Sequence, residues 1–132
     1  MKFKKIICWP PLLGGIGAGV TIGILAYITF QSILAGTNYG LWLAASFGSS
    51  VVVVFGYPHN EFSQPKNVLF GHLLCALVGI IFVTLFKITQ DRTIFFLTIG
   101  LAVGLSVMLM MTLKITHPPA GGNTIVVILS QD

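Results

Sequence analysis

Carboxylate side chains are almost missing from this chain. Glu61, Asp91 and Asp132 are the only three among 132 residues. Charged residues of both signs together make up 8%, where a soluble domain carries roughly 25%. So little charge cannot cover a globule with polar surface. All three acids fall outside the apolar runs, so none stands ready to carry protons through a bilayer centre. That argues against a carboxylate-driven proton pump and leaves a channel, a facilitator or coupling through histidine. Cysteine is scarce as well. Cys8 and Cys75 are too few and too far apart for a disulfide framework. Cys75 lies inside an apolar run, where a free thiol behaves as a small hydrophobe. No G-x-S-x-G nucleophile elbow is present. Ser49 or Ser50 facing His72 or His117 is the arrangement from which an intramembrane serine hydrolase could be drawn. The chain is read as a non-enzyme, with no cofactor expected.

Apolar residues, by contrast, fill 55% of the chain, and the mean hydropathy is +0.97. A spanning helix needs about 20 mostly apolar residues. Leu12 to Leu34 is one such run. Leu41 to Tyr57 is a second, short and interrupted by Ser46, Gly48, Ser49 and Ser50. Val68 to Phe86 and Ile94 to Leu113 are the third and fourth. Turns are expected at Gly36–Gly40, in the polar loop Pro58 to Asn67 and in the charged loop Lys87 to Thr93. Thr124 to Leu129 is the last apolar piece. At 1.5 Å per residue it covers about 9 Å of a hydrocarbon core about 30 Å thick, so it cannot span. The expected fold is all-α: a single transmembrane domain over residues 1–132, with four near-spanning helices and a terminal re-entrant half-helix.

The net charge of +4 raises nucleic-acid binding, but the positions of the charges argue against it. Lys2, Lys4 and Lys5 cluster at the N-terminus, and Lys66, Lys87, Arg92 and Lys114 lie just outside apolar runs. That is how charges flank membrane helices. With the N-terminus in the cytoplasm, five cations fall inside and only Lys87 and Arg92 outside. The positive-inside rule therefore favours a multi-pass protein of the inner (plasma) membrane, N-terminus cytoplasmic. Its first partner is the lipid bilayer, not nucleic acid. The start resembles a signal-peptide n-region, yet Pro10 and Pro11 interrupt it and no clear cleavage site follows. A retained first helix is expected.

His117-Pro118-Pro119-Ala120-Gly121-Gly122-Asn123 interrupts the chain between two apolar runs. Consecutive prolines disfavour a continuous helix, and glycines allow close approach. Non-helical backbone at membrane depth survives only when buried in protein or lining a watery cavity. Gly48 to Phe55 and Gly122 to Leu129 also match in polarity and size at all eight positions. Each follows one spanning run, so a three-segment unit would repeat with inverted topology, as in many transporters. Two half-helices ending at membrane depth would aim unpaired N–H groups at one point. That place would suit a small anion, with Gly48, Ser49, Ser50, Gly121, Gly122, Asn123 and Thr124 as its lining. The alternative is that Ser and Gly merely loosen packing.

His59, His72 and His117 are the three histidines, all expected near the cytoplasmic side. Zinc or copper binding is open to three imidazoles, though no pair has the close spacing of a metal motif and no metal ligand is assigned. A gate or an anchoring hydrogen bond is the expected role of His72 and His117, beside Pro118 and Pro119. Gly15, Gly19 and Gly23, and Gly100 with Gly104, carry the G-x-x-x-G spacing that lets helices approach. Packing within the chain is preferred over a dimer face.

These residues resemble the HPP family of integral membrane proteins. Thr116 to Gly121 looks like the namesake motif. Phe47-Gly48-Ser49-Ser50-Val51 through Phe55 is similar to the family's G-A-S-A-V-L-L-F stretch. Gln64-Pro65-Lys66-Asn67-Val68, followed by Gly71-His72-Leu73-Leu74, resembles its Q-P-K/R-N-V and G-H-L-L segment. The resemblance covers about Leu12 to Leu129. It implies a transporter, with nitrite as the substrate associated with plastid and cyanobacterial relatives. Family members usually continue through another hydrophobic helix, so the chain reads as C-terminally shortened. A homo-oligomer is expected to complete the site. The function expected is passage of a small inorganic anion. A metal-binding or metal-transporting membrane protein and a non-transporting scaffold subunit are the alternatives.

Overall fold

A computed structural model describes residues 9–34, 39–86 and 92–130. Cys8, the N-terminal lysines, Lys87, Asp91, Asp132 and most of the two turns expected at 36–40 and 87–93 lie outside these residues. Five α-helices follow in order: α1 Trp9–Leu34, α2 Tyr39–Gly56, α3 Pro65–Phe86, α4 Arg92–Thr112 and α5 Gly121–Leu129. Two 3₁₀ turns, Glu61–Ser63 and Pro118–Ala120, sit before α3 and α5. In lipid every backbone group needs a partner inside the protein, and a helix supplies it locally. Stretches within α1, α3 and α4 are long and apolar enough to cross a membrane: Pro11–Gln31, Pro65–Leu85 and Ile94–Thr112. α2, at 18 residues, covers about 27 Å and falls just short. α5, at 9 residues, covers about 14 Å.

The prolines shape helix starts. Pro10 and Pro11 fall in the first turn of α1, where no N–H is required of them. They extend the first helix instead of interrupting it. Pro65 opens α3 in the same way. Pro118 and Pro119 open the second 3₁₀ turn, after His117 in extended geometry at φ −134° and ψ 98°. α4 ends one turn earlier. Lys114 takes a left-handed φ of 54°, and the Ile115 amide reaches back to the Met110 carbonyl at 3.0 Å, a Schellman-type stop.

One expectation is overturned here. The polar interruption at Gly48, Ser49 and Ser50 does not break the second helix, for α2 runs through it. No proline removes an amide there. The Ser49 hydroxyl bonds the Ser46 carbonyl one turn back at 2.9 Å, which fits inside a helix. The expected pair of half-helices with bare N-termini is therefore not formed. Even at α5 the first amide and the one before it are occupied. Ala120 N–H bonds the His117 carbonyl at 2.9 Å, and Gly121 N–H is shared by the Pro118 and Pro119 carbonyls.

The bundle core lies around α5, which packs against α3, α4 and α2, while α1 packs on α2. Val78, Ala102 and Ile128 form one buried cluster, and Cys75, Met110 and Ala120 another. Large side chains on the outer faces, such as Leu69, Leu73 and Leu77 on α3, stay exposed and suit contact with lipid. Close approach depends on Gly71 and Gly79. A Cβ at Gly79 would sit 2.9 Å from Val127 Cβ and 3.1 Å from the Thr124 carbonyl oxygen. One at Gly71 would sit 3.0 Å from His117 Cβ. Gly14 and Gly17 do the same for α1 against Phe55. The G-x-x-x-G glycines expected to pack within the chain do not. Gly15, Gly19, Gly23, Gly100 and Gly104 have no neighbouring atom within 4 Å of a Cβ position.

Gly79→Ala should therefore lower stability by about 1–3 kcal/mol through overpacking of α3 on α5. Gly100→Ala should be neutral or slightly stabilising, because it adds a methyl group to open space and improves helix propensity. Thermal unfolding of both variants in one detergent, read as midpoint shifts, checks the pair. Equal shifts would contradict this account of the packing.

Candidate functional site

The α2–α3 loop and the α4–α5 link share one end of the bundle, as their expected sidedness requires. Several loop carbonyls and amides are tied before any site is built. Asn60 Oδ1 accepts the Phe62 amide at 2.9 Å, and the Ser63 hydroxyl faces the Val53 and Tyr57 carbonyls at the end of α2. Asn67 Nδ2 donates to the Glu61 carbonyl at 2.9 Å and the Thr116 carbonyl at 3.2 Å. Asn67 thus joins the loop, the first turns of α3 and the link. His117 completes the joint, its Nδ1 lying 2.7 Å from the Phe62 carbonyl.

From His117 a line of polar groups runs into the bundle. His117 Nε2 is 2.9 Å from Ser50 Oγ on α2. Ser50 Oγ is 2.9 Å from His72 Nε2 on α3. His72 Nδ1 is 2.7 Å from Asn123 Nδ2 on α5. Ser50, His72, His117 and Asn123 are all buried, His117 completely. The two imidazole centroids are 5.1 Å apart, and Phe47 stacks on His72 at 4.6 Å. Among the described residues, no charged side chain bonds to any member. Two adjacent buried rings without a counter-charge remain neutral.

The hydrogens can then be placed by elimination. The Phe62 carbonyl only accepts, so His117 carries its proton on Nδ1. His117 Nε2 is bare and accepts the single hydrogen of Ser50. Ser50 Oγ must in turn accept from His72, whose proton is on Nε2. His72 Nδ1 is bare and accepts from the Asn123 amide N–H, the orientation in which Asn123 stands. The remaining atom of that amide, Oδ1, is buried and has no partner. The Ser46 carbonyl, 3.3 Å from Ser50 Oγ, is the weaker competitor for the serine hydrogen.

Other expected lining residues disperse. Ser49 and Gly122 border a groove of about 780 Å³ between α2 and α5. There Ser46, which sequence reasoning did not single out, donates to the Pro119 carbonyl at 2.9 Å. Thr124 turns the opposite way. Its hydroxyl meets the Cys75 carbonyl at 3.0 Å and Ser106 Oγ at 2.8 Å, locking α3, α4 and α5 together. Gly48 and Gly121 have open space where a Cβ would be. His59 is exposed in the loop, so the three histidines do not converge. Among the described residues, no three His, Cys, Asp or Glu side chains form a metal-sized group. Phe47 and Asn67 lie in the motifs quoted above but were given no role of their own, and Ser106 and the Phe62 carbonyl, which no local pattern marks, were missed.

His117 lies in the link, outside the three spanning stretches. Burial pushes its pKa below the ordinary value, and the Phe62 carbonyl pulls partly back. The folded chain therefore binds fewer protons than the unfolded chain below the ordinary histidine value of about 6.5. Stability is fully present above that pH and falls as the medium is acidified through it. The apparent melting midpoint in detergent should drop between pH 7.5 and pH 5. His117→Asn, whose amide gains no proton, should show a smaller drop. ¹⁵N NMR of histidine-labelled protein at pH 7.5 should find His117 protonated on Nδ1 and His72 on Nε2. Two rings of the same tautomer would contradict the assignment.

A family model described as "HPP, transmembrane region" matches residues 6–132. Two transmembrane proteins of Dictyostelium discoideum are also similar. One is 36% identical over 87 residues, covering 66% of this chain and 30% of the relative. The other is 31% identical over 111 residues, covering 84% of this chain and 35% of the relative. The chain thus spans about a third of the length of these relatives. No solved structure matches it.

Proposed function

That the chain belongs to the HPP family of transmembrane proteins is the premise from which we propose that it conducts a small inorganic anion across a membrane, nitrite being the species the family resemblance implies. The observation that carries this reading is the cluster Ser50, His72, His117 and Asn123, buried where α2, α3 and α5 meet. It consists of neutral hydrogen-bonding groups. Among the described residues, the one carboxylate is Glu61, exposed in the loop, so no negative charge in the helices described opposes an anion. The route we favour runs beside Asn123 and His72, where α2, α3 and α5 meet. A pair of bare helix ends no longer supports the reading, because α2 is unbroken and the first amide of α5 is occupied. A side-chain donor replaces them: the Asn123 amide, which has a second N–H beyond the one given to His72.

The same reading places the protein in the inner (plasma) membrane with its N-terminus in the cytoplasm, as a homo-oligomer. The open glycine face of α1, at Gly15, Gly19 and Gly23, suits a second copy. Metal transport has less support. All four ring nitrogens of His72 and His117 already have protein partners, and a metal would have to displace them.

The test is uptake of nitrite, nitrate, formate and chloride into liposomes containing the protein, against protein-free liposomes. Wild type should exceed the protein-free rate for at least one anion. Asn123→Leu should reduce that flux about tenfold, equivalent to ~1.4 kcal/mol. Unchanged flux in the variant would remove Asn123 from the route. Wild-type flux at the protein-free level would favour the scaffold reading instead.

A further inference from the structure

One atom of the polar cluster is left over. Asn123 Oδ1 is buried without a partner, and the residue as a whole is only 4% exposed. Among the described residues, no other buried side-chain nitrogen or oxygen stands in that position. The run of tautomers decides which atom it is. His72 Nδ1 is bare and accepts from Asn123 Nδ2 at 2.7 Å, so the carbonyl half of the amide is the half left unpaired. A primary amide has two N–H hydrogens, and His72 takes one. Asn123 therefore offers a passing solute one donor and one acceptor.

A bare anion matches half of that offer. It accepts the free N–H, but it has no hydrogen for Oδ1, and its charge meets the partial negative charge of that oxygen. No cation offsets the repulsion. Lys66 and Lys114, the lysines among the described side chains, are exposed at helix ends, and both imidazoles are neutral. Taking an unpaired ion out of water costs far more than taking out a neutral molecule. The conjugate acid of the same anion matches both halves. Its O–H donates to Oδ1, and its second oxygen accepts the N–H. We infer that the species passing Asn123 is a small weak acid in its neutral form, nitrous or formic acid being of this class. This rests on the anion reading and names the form in which the anion crosses. The anion takes a proton from water at one face and returns it at the other, so anion and proton move together and no net charge crosses.

Besides the two imidazoles, no titratable group among the described residues bonds to the cluster. On α3 the neighbours are exposed Lys66 and buried Cys75, whose thiol faces Met110 Sδ at 3.7 Å. The loop contributes Tyr57, His59 and Glu61, all exposed, and the link contributes exposed Lys114. The described side chains of α2, α4 and α5 include no titratable group. A proton placed on one of the rings would also offset an anion, but a charged ring would serve chloride as well as formate. Selectivity separates the two. Chloride and nitrate are the anions of strong acids and have no neutral form near pH 7, so the Asn123 amide gives them no complete match.

The wild-type full chain in liposomes tests the inference, with formate, nitrite, chloride and nitrate as separate arms and a pH-sensitive dye inside. Neutral acids cross bare lipid too, so each rate is read as the excess over protein-free liposomes at the same pH. Formate or nitrite should show an excess, with the interior acidified as the anion enters. A potassium diffusion potential of either sign should leave that excess unchanged. Lowering the pH from 7.5 to 6.5 should raise it about tenfold, because the neutral fraction of a weak acid well above its pKa follows proton activity. This window lies above the range in which His117 weakens the fold. Chloride and nitrate should stay at the protein-free rate. An excess that follows the potential, an excess indifferent to pH, or an excess for chloride or nitrate would overturn the neutral-acid inference and leave the anion reading standing. No excess for any of the four would defeat both.

Discussion

A single hydroxyl hydrogen decides the state of the whole polar centre. Ser50 stands between two imidazoles and has one proton to give, so one ring must accept and the other must donate. The Phe62 carbonyl, which cannot donate, settles which is which. The choice then propagates through His72 to the Asn123 amide without further freedom. Leaving any buried member unpaired would cost about 1–3 kcal/mol, so the line is either complete or strongly destabilised. That completeness ties four separate pieces of chain: the α2–α3 loop, α2, α3 and the α4–α5 break.

The helices can meet closely enough for this because two glycines on α3 remove side-chain bulk where it matters. Gly71 admits the β-carbon of His117, and Gly79 admits Val127 and the backbone of Thr124. With α5 seated, the Thr124 hydroxyl reaches the Cys75 carbonyl and Ser106, a second polar lock on the opposite face from Asn123. Association within lipid draws little on hydrophobic burial, so close packing and buried hydrogen bonds carry much of it. The double proline before α5 supplies the remaining condition. α4 already ends at the left-handed Lys114; the prolines open the 3₁₀ turn after His117 and lead into α5, which seats against α2, α3 and α4.

The number of helices, their membrane character and the break at His117 were legible in the residues, because length, hydropathy and proline act locally. Ser50, His72, His117 and Asn123 were singled out too, each for its own reason, as a polar or ionisable residue in or beside an apolar run. Their mutual contact was not legible. Ser50 and His117 lie 67 positions apart and His72 and Asn123 lie 51 apart, and no periodicity links them. The likeness between Gly48–Phe55 and Gly122–Leu129 suggested two broken helices. Only the second is preceded by prolines, and only there does a break occur. Glycine spacing misled in the same way, since Gly71 and Gly79 are eight residues apart with Cys75, not a third glycine, midway between them, so no G-x-x-x-G pair marks them.

Composition and local order by themselves determined that this chain lives in a bilayer, that it is helical, and where it must bend. These follow from the solvation of each residue and from the missing amides of proline, which need no knowledge of neighbours. Tertiary structure alone decided which polar groups meet, which glycines are contact points, and which way each buried hydrogen points. Those depend on distances between segments remote in sequence, and on a hydroxyl having one proton while a carbonyl has none.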